Sequence, residues 1–178
     1  MNIKKITCEL ATCFALLILL PISASAYYTT AQTATKLTNQ AAIYTITYTF
    51  GIRDFDIYMP ILASRTSREE AVKDDSVAYT IREDGKDVTE NGHTASFVFS
   101  NAPMVDGMYK IDANTSETMT LLVVLTTESD TPEMDYALHV EKLPFLVDLE
   151  NDKNNMQVRG LLPSELNYYT TEEIELNS

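Results

Sequence analysis

The amino-acid sequence predicts an all-β fold, a single antiparallel β-sandwich that follows a removable N-terminal segment. Alternation with a period of two recurs along the chain, built from β-branched and aromatic residues. It is clearest where Tyr44, Ile46, Tyr48 and Phe50 alternate with Thr45, Thr47 and Thr49. Turn signals such as Asp84-Gly85 and Asn91-Gly92 punctuate the chain. No stretch carries the apolar spacing of a long helix. Many short strands between turns favour two packed antiparallel sheets.

Each element follows from local pattern. Ala42 to Phe50 is a half-buried strand with a threonine-rich wet face. In Phe55 to Leu62, Phe55, Ile57, Met59 and Ile61 alternate, and Pro60 places the strand at an edge or ends it, because proline donates no ladder bond. Ser67-Arg68-Glu69-Glu70 has capping-box spacing, enough for a turn or two of helix before Lys73. Alternation returns in Val77 to Glu83 and again in Ala95 to Ser100. Met108 to Ala113 is a further strand. In Thr118 to Thr127, the run Leu121-Leu122-Val123-Val124-Leu125 is apolar on both faces, which predicts a central strand covered on both sides. Two more strands are expected around Tyr136 to Val140 and Phe145 to Leu149, and a last one in Leu166 to Leu176.

The first 26 residues have the form of a signal peptide. Lys4 and Lys5 precede the apolar run Leu10 to Leu20, which Pro21 breaks, and Ala24-Ser25-Ala26 has the small-residue pattern of a cleavage site. Tyr27 is then the first mature residue. The apolar run has 11 residues, whereas a membrane-spanning helix needs about 20. Export to a secreted, periplasmic or cell-surface location is expected, with no membrane insertion after cleavage. Residues 27–40, rich in Thr and Ala, form a mobile leader or an edge strand, and 41–178 form the sandwich domain.

Both cysteines, Cys8 and Cys13, fall within the removed segment. The exported product must then hold together by packing alone, without disulfides, thiolate metal sites or a cysteine nucleophile. Removing 26 of 178 residues leaves 152, enough for one domain with a sizeable core. Removing Lys4, Lys5 and Glu9 from 13 basic and 26 acidic residues leaves 11 against 25, a net charge of −14. Such a surface repels nucleic acid and anionic membranes.

One stretch resembles a known family. Val105-Asp106-Gly107-Met108-Tyr109-Lys110-Ile111-Asp112-Ala113 is similar to the Asp-Gly-x-Tyr-x-(apolar)-x-Ala strand start of extracellular immunoglobulin-like domains. The resemblance spans about Val77 to Thr127. It implies an immunoglobulin-like sandwich with extra strands, in which Tyr109 forms a corner whose hydroxyl bonds backbone at the turn. Ile111 would take the position of a core cysteine. The family's core tryptophan is missing from this chain.

Constellations that carry chemistry are sparse. His93 follows a turn and His139 alternates with Leu138 and Val140, so exposure is expected for the first and the wetter strand face for the second. No serine sits in a Gly-x-Ser-x-Gly setting. Asp54-Phe55-Asp56 reads as strand-edge charge. Two acidic loops, Glu128/Asp130/Glu133/Asp135 and Asp148/Glu150/Asp152/Asn154, offer oxygen ligands suited to calcium, but neither has the spacing of an EF-hand. No catalytic residue, cofactor or metal site is assigned.

The expected function is that of an exported non-enzymatic binding or surface-assembly module. Its partner would be another protein, a glycan or copies of itself, the leader pairing with a neighbour's sheet edge. The alternatives are a small secreted hydrolase acting through carboxylates and a calcium-stabilised extracellular module.

Overall fold

The structure is a computed structural model, and it describes residues 28–51, 54–66, 76–88, 92–128, 133–148, 157–161 and 169–176. The proposed cleavage residues Ala24, Ala26 and Tyr27, the short helix expected after Thr66, and most of the two acidic loops lie outside these residues. Thirteen strands follow in order: β1 (Tyr28–Thr38), β2 (Ala41–Phe50), β3 (Asp56–Met59), β4 (Ala63–Arg65), β5 (Val77–Glu83), β6 (Lys86–Asp87) and β7 (His93–Ser100). Then come β8 (Met104–Val105), β9 (Met108–Ile111), β10 (Glu117–Thr126), β11 (Met134–Asp148), β12 (Gln157–Leu161) and β13 (Ile174–Leu176). The all-β expectation holds for the described residues.

Two sheets share one core. The first has the order β1-β2-β10-β7, antiparallel throughout. The second is organised by β11, a strand of 15 residues. One edge of β11 pairs with β5 and then with β3, while its other edge runs along β12 and then β13. Strands β9 and β8 extend the sheet from β3, and β4 and β6 flank β5. The inward set of the first sheet is Tyr44, Ile46, Tyr48 and Phe50 on β2 with Met119, Leu121, Val123 and Leu125 on β10, all buried. Facing them from the second sheet are Ile57, Met59, Tyr79, Ile81, Ile111, Leu138 and Val140. The period-two pattern is therefore the physical cause of the core, since strand residues two apart share a face.

Four expectations about the strands need correction. The fold is not purely antiparallel, because β4 and β5 run parallel, joined by the Thr66–Ser76 connection rather than a tight turn. The two strands expected between Tyr136 and Leu149 are one, β11. Pro144 fits inside it because it falls between Lys142, the last residue paired with β5, and Leu146, the first paired with β3.

Of the two forms expected for residues 27–40, the described residues take that of an edge strand, since β1 pairs with β2 from Tyr28↔Phe50 to Thr38↔Ala41. Asp106 and Gly107, both at positive φ, close a two-residue hairpin between β8 and β9. Tyr109 therefore stands on β9 beside β3, and its hydroxyl donates to the Val98 carbonyl of β7 at 3.3 Å instead of capping its own turn. Ile111 is fully buried, as expected of a core position. The fourth correction concerns β10. It is central, but only one of its faces is covered, and the other is left as an outer surface.

Candidate functional site

The outer face of the first sheet is built by strand register. Residues alternate across each strand, so the side chains opposite the core set all point outward. The pairing aligns them in rows. One row is Thr35, Ile43, Val124 and Ala95; the next is Thr33, Thr45, Leu122 and Phe97; a third is Ala31, Thr47, Thr120 and Phe99. The β7 side of this face is apolar and the β1 side is hydroxyl-rich. Phe97 is 54% exposed and Phe99 43%. Leu122, Val124 and Ile43 are half-buried beside them.

The hydroxyls on this face satisfy one another. Thr33 and Thr45 are joined at 2.6 Å between their Oγ1 atoms, and Thr47 and Thr120 at 2.9 Å. Cross-strand threonine pairs of this kind stabilise the sheet itself. They also leave a surface with few free polar groups. These three rows hold no charged side chain, although the chain carries a net charge of −13. His93 marks one corner, 3.9 Å from Glu128, with both side chains exposed.

A second cluster lies on β5 and β11, on the side away from the core. Glu141 sits at an irregularity in the β11–β5 register. Its Oε1 accepts from Thr80 Oγ1 at 2.9 Å and from Arg82 Nη2 at 2.7 Å. His139 Nε2 is 3.6 Å from the same oxygen, and His139 Nδ1 meets Thr170 Oγ1 at 2.7 Å. The Tyr169 ring stands edge-on to the imidazole with centroids 4.9 Å apart. His139 is buried, correcting the expectation of a wet face. Burial, and secondly the Arg82 cation, hold its pKa down at about 4, against the opposing pull of Glu141.

The order Thr170–His139–Glu141 has the outline of a nucleophile, base and orienting acid. The geometry does not complete it. The His139–Glu141 separation exceeds hydrogen-bond range, and the carboxylate oxygen already serves two donors. What the cluster does is join β5 to β11 through the Glu141 carboxylate, and β11 to residues 169–171 through the His139–Thr170 bond. Removing one partner of such a buried pair is expected to cost about 3–5 kcal/mol.

The other carboxylates are engaged elsewhere. Asp56 begins β3, where its Oδ1 accepts the Ala113 N–H at 2.7 Å and its Oδ2 lies 2.8 Å from Lys110 Nζ. Asp112 takes the same ammonium at 2.7 Å. Hydrogen bonds to Asp112 and then Asp56 raise the Lys110 pKa, so both acids hold a cation between them. Of the acidic-loop residues, Glu128, Glu133 and Asp135 are exposed and Asp148 is buried at the end of β11, while Asp130, Glu150, Asp152 and Asn154 lie outside the described residues. Among the described residues, no group of three or more His, Cys, Asp or Glu is placed to hold a metal ion.

The two histidines lie on different sheets. Leu122 belongs to a run that reads as covered on both sides, and only the register shows that it is a neighbour of exposed Phe97. The partners of Glu141 are 59 and 61 residues away in sequence, so no local pattern marks them. No family model matches this chain, and no curated protein is similar to it.

Proposed function

We propose that the chain is an exported, non-enzymatic β-sandwich that docks a protein partner through the outer face of the β1-β2-β10-β7 sheet. One observation carries this reading. Phe97 and Phe99 stand exposed beside Leu122, Val124 and Ile43 on an uncharged face of a strongly acidic chain. Contiguous exposed apolar surface of this kind marks interaction sites. Its apolar strip suits a protein surface, where burial of aromatic side chains supplies much of the binding energy. The N-terminal Ala24-Ser25-Ala26 pattern supports export, which brings the face into contact with envelope or extracellular partners.

The strand order supports an immunoglobulin-like sandwich. Such domains place strands A, B, E and D in one sheet and C, F and G in the other. The orders β1-β2-β10-β7 and β3-β11-β12/β13 follow that arrangement, with β4 to β6 and β8 to β9 as additions. The architecture hosts many functions, so the role rests on the face and not on the fold.

The test is retention on the envelope of the producing cell. Wild-type protein should sediment with the envelope, and the double variant Phe97→Ser, Phe99→Ser should be released while keeping its melting temperature. Equal retention of both proteins, or no association of the wild type, overturns the reading. Retention that survives protease treatment of the envelope but not periodate assigns the face to a glycan and overturns the protein partner.

A further inference from the structure

The two edges of the first sheet are not alike. In an antiparallel ladder, alternate residues turn their backbone groups to opposite neighbours. Thr127 N–H donates to the Gln40 carbonyl at 2.8 Å, so even-numbered residues of β2 bond toward β10 and odd-numbered ones toward β1. Through the register, Thr29, Ala31, Thr33 and Thr35 of β1 bond to β2. The backbone groups of Thr30, Gln32, Ala34 and Lys36 point the other way. The same alternation on β7 turns Ser96 and Val98 outward. That edge is covered: the Val98 carbonyl accepts from Tyr109, and Ser96 Oγ donates to the Ala63 carbonyl of β4 at 3.1 Å. The outer edge of β1 pairs with no strand among the described residues.

We propose that β1 pairs antiparallel with β1 of a second copy, joining two four-stranded sheets into one of eight strands. Three features of β1 fit this partner. An antiparallel strand pair is its own two-fold partner, so one edge serves both copies. The strand carries no acidic residue and one cation, Lys36, so two copies of an acidic chain meet here without opposed carboxylates. The third feature concerns register. The regular stretch of β1 runs from Tyr28 to Lys36, where the β1–β2 register shifts, and its midpoint is Gln32.

Gln32 is also where a polar group stands alone. Its Oε1 is buried and has no hydrogen-bond partner among the described residues. A buried acceptor left unmade is costly. A two-fold axis at Gln32 sets the two Gln32 side chains side by side on one face, where a turn of each amide away from its own sheet brings Nε2 of each to Oε1 of the other. It also sets Ala34 opposite Thr30 and Lys36 opposite Tyr28, using every outward-facing backbone group of the regular stretch. An exposed edge of this length, without proline, is a template for such pairing. The junction extends the outer face across both copies, although it does not depend on that face binding anything.

Sedimentation velocity of the full chain, expressed with its own N-terminal segment, tests the pairing. The wild type should show a concentration-dependent dimer. Ala34→Pro removes an N–H that bonds nothing among the described residues, so it should yield a monomer with an unchanged melting temperature. Gln32→Glu sets two carboxylates at the axis and should raise the dimer dissociation constant at least about tenfold at neutral pH, with recovery on acidification. Phe97→Ser, Phe99→Ser should leave the dimer intact, which separates this result from failure of the docking face. A wild-type monomer at all concentrations, or dimers of Gln32→Glu as tight as wild type, would overturn the proposal. Should Ala34→Pro not fold, the Gln32→Glu result alone decides.

Discussion

Two tyrosines on one strand should respond in opposite directions to the same substitution. Tyr44 and Tyr48 both lie on β2, both face the core, and both are fully buried. Burial raises the pKa of each phenol, with Tyr136 adding to the effect at Tyr44. Their hydroxyls differ. Tyr44 donates to the Tyr136 carbonyl at 2.9 Å and so ties β2 to β11 across the core. The Tyr48 hydroxyl is buried without a hydrogen-bond partner among the described residues.

Tyr44→Phe loses a buried bond and leaves a carbonyl short of a donor, which costs about 1–2 kcal/mol. Tyr48→Phe removes a hydroxyl whose burial costs about 1–3 kcal/mol and leaves the ring in place. For a domain of this size, 1 kcal/mol moves Tm by about 2–4 °C. Tyr44→Phe should therefore lower Tm by several degrees and Tyr48→Phe should raise it. Denaturant titration should show the same signs in midpoint with no change in slope. Shifts of the same sign for both variants would refute the assignment of hydroxyl partners across this core.

Two further outcomes follow from the geometry. His139 is neutral and buried against Thr170, Tyr169, Arg82 and Glu141, with its pKa lowered to about 4. A base whose folded pKa lies below its unfolded value takes up more protons when unfolded, so stability is full above about pH 6.5 and falls until about pH 4. The loss is on the order of 3 kcal/mol. Denaturation midpoints across that range should show it, and His139→Gln should flatten the dependence. Gly85 and Gly92 both have positive φ, but a Cβ at Gly85 meets nothing within 4 Å, whereas at Gly92 it meets the Thr126 carbonyl oxygen at 2.5 Å. Gly85→Ala should cost about 1–2 kcal/mol from backbone strain alone, and Gly92→Ala clearly more, read as the difference in denaturation midpoint.

Much of the architecture is legible in the chain. Val77–Glu83 and Ala41–Phe50 are strands because their alternation puts the bulky apolar residues mainly on one face and the threonines on the other. What period-two reading does not carry is pairing. It does not show that β11 continues through Pro144, since that depends on which neighbour occupies each edge. It assigns Leu121–Leu125 to a covered strand because apolar content on both faces resembles a buried strand. Only the register reveals that Leu122 and Val124 lie beside exposed Phe97 and half-buried Ile43. The Asp106-Gly107 turn was legible as a turn, whereas the destination of the Tyr109 hydroxyl was not, because Val98 reaches it through tertiary packing. The cluster around Glu141 is long-range in the same way.

The docking face is tested most directly by hydroxyl-radical footprinting of the protein on intact producing cells and after purification. Phe97 and Phe99 should be oxidised several-fold more slowly on the cell than in solution, while Met104, exposed on β8 of the second sheet, should react equally in both. Equal oxidation of Phe97 and Phe99 in the two settings would contradict a partner seated on the outer face of the first sheet.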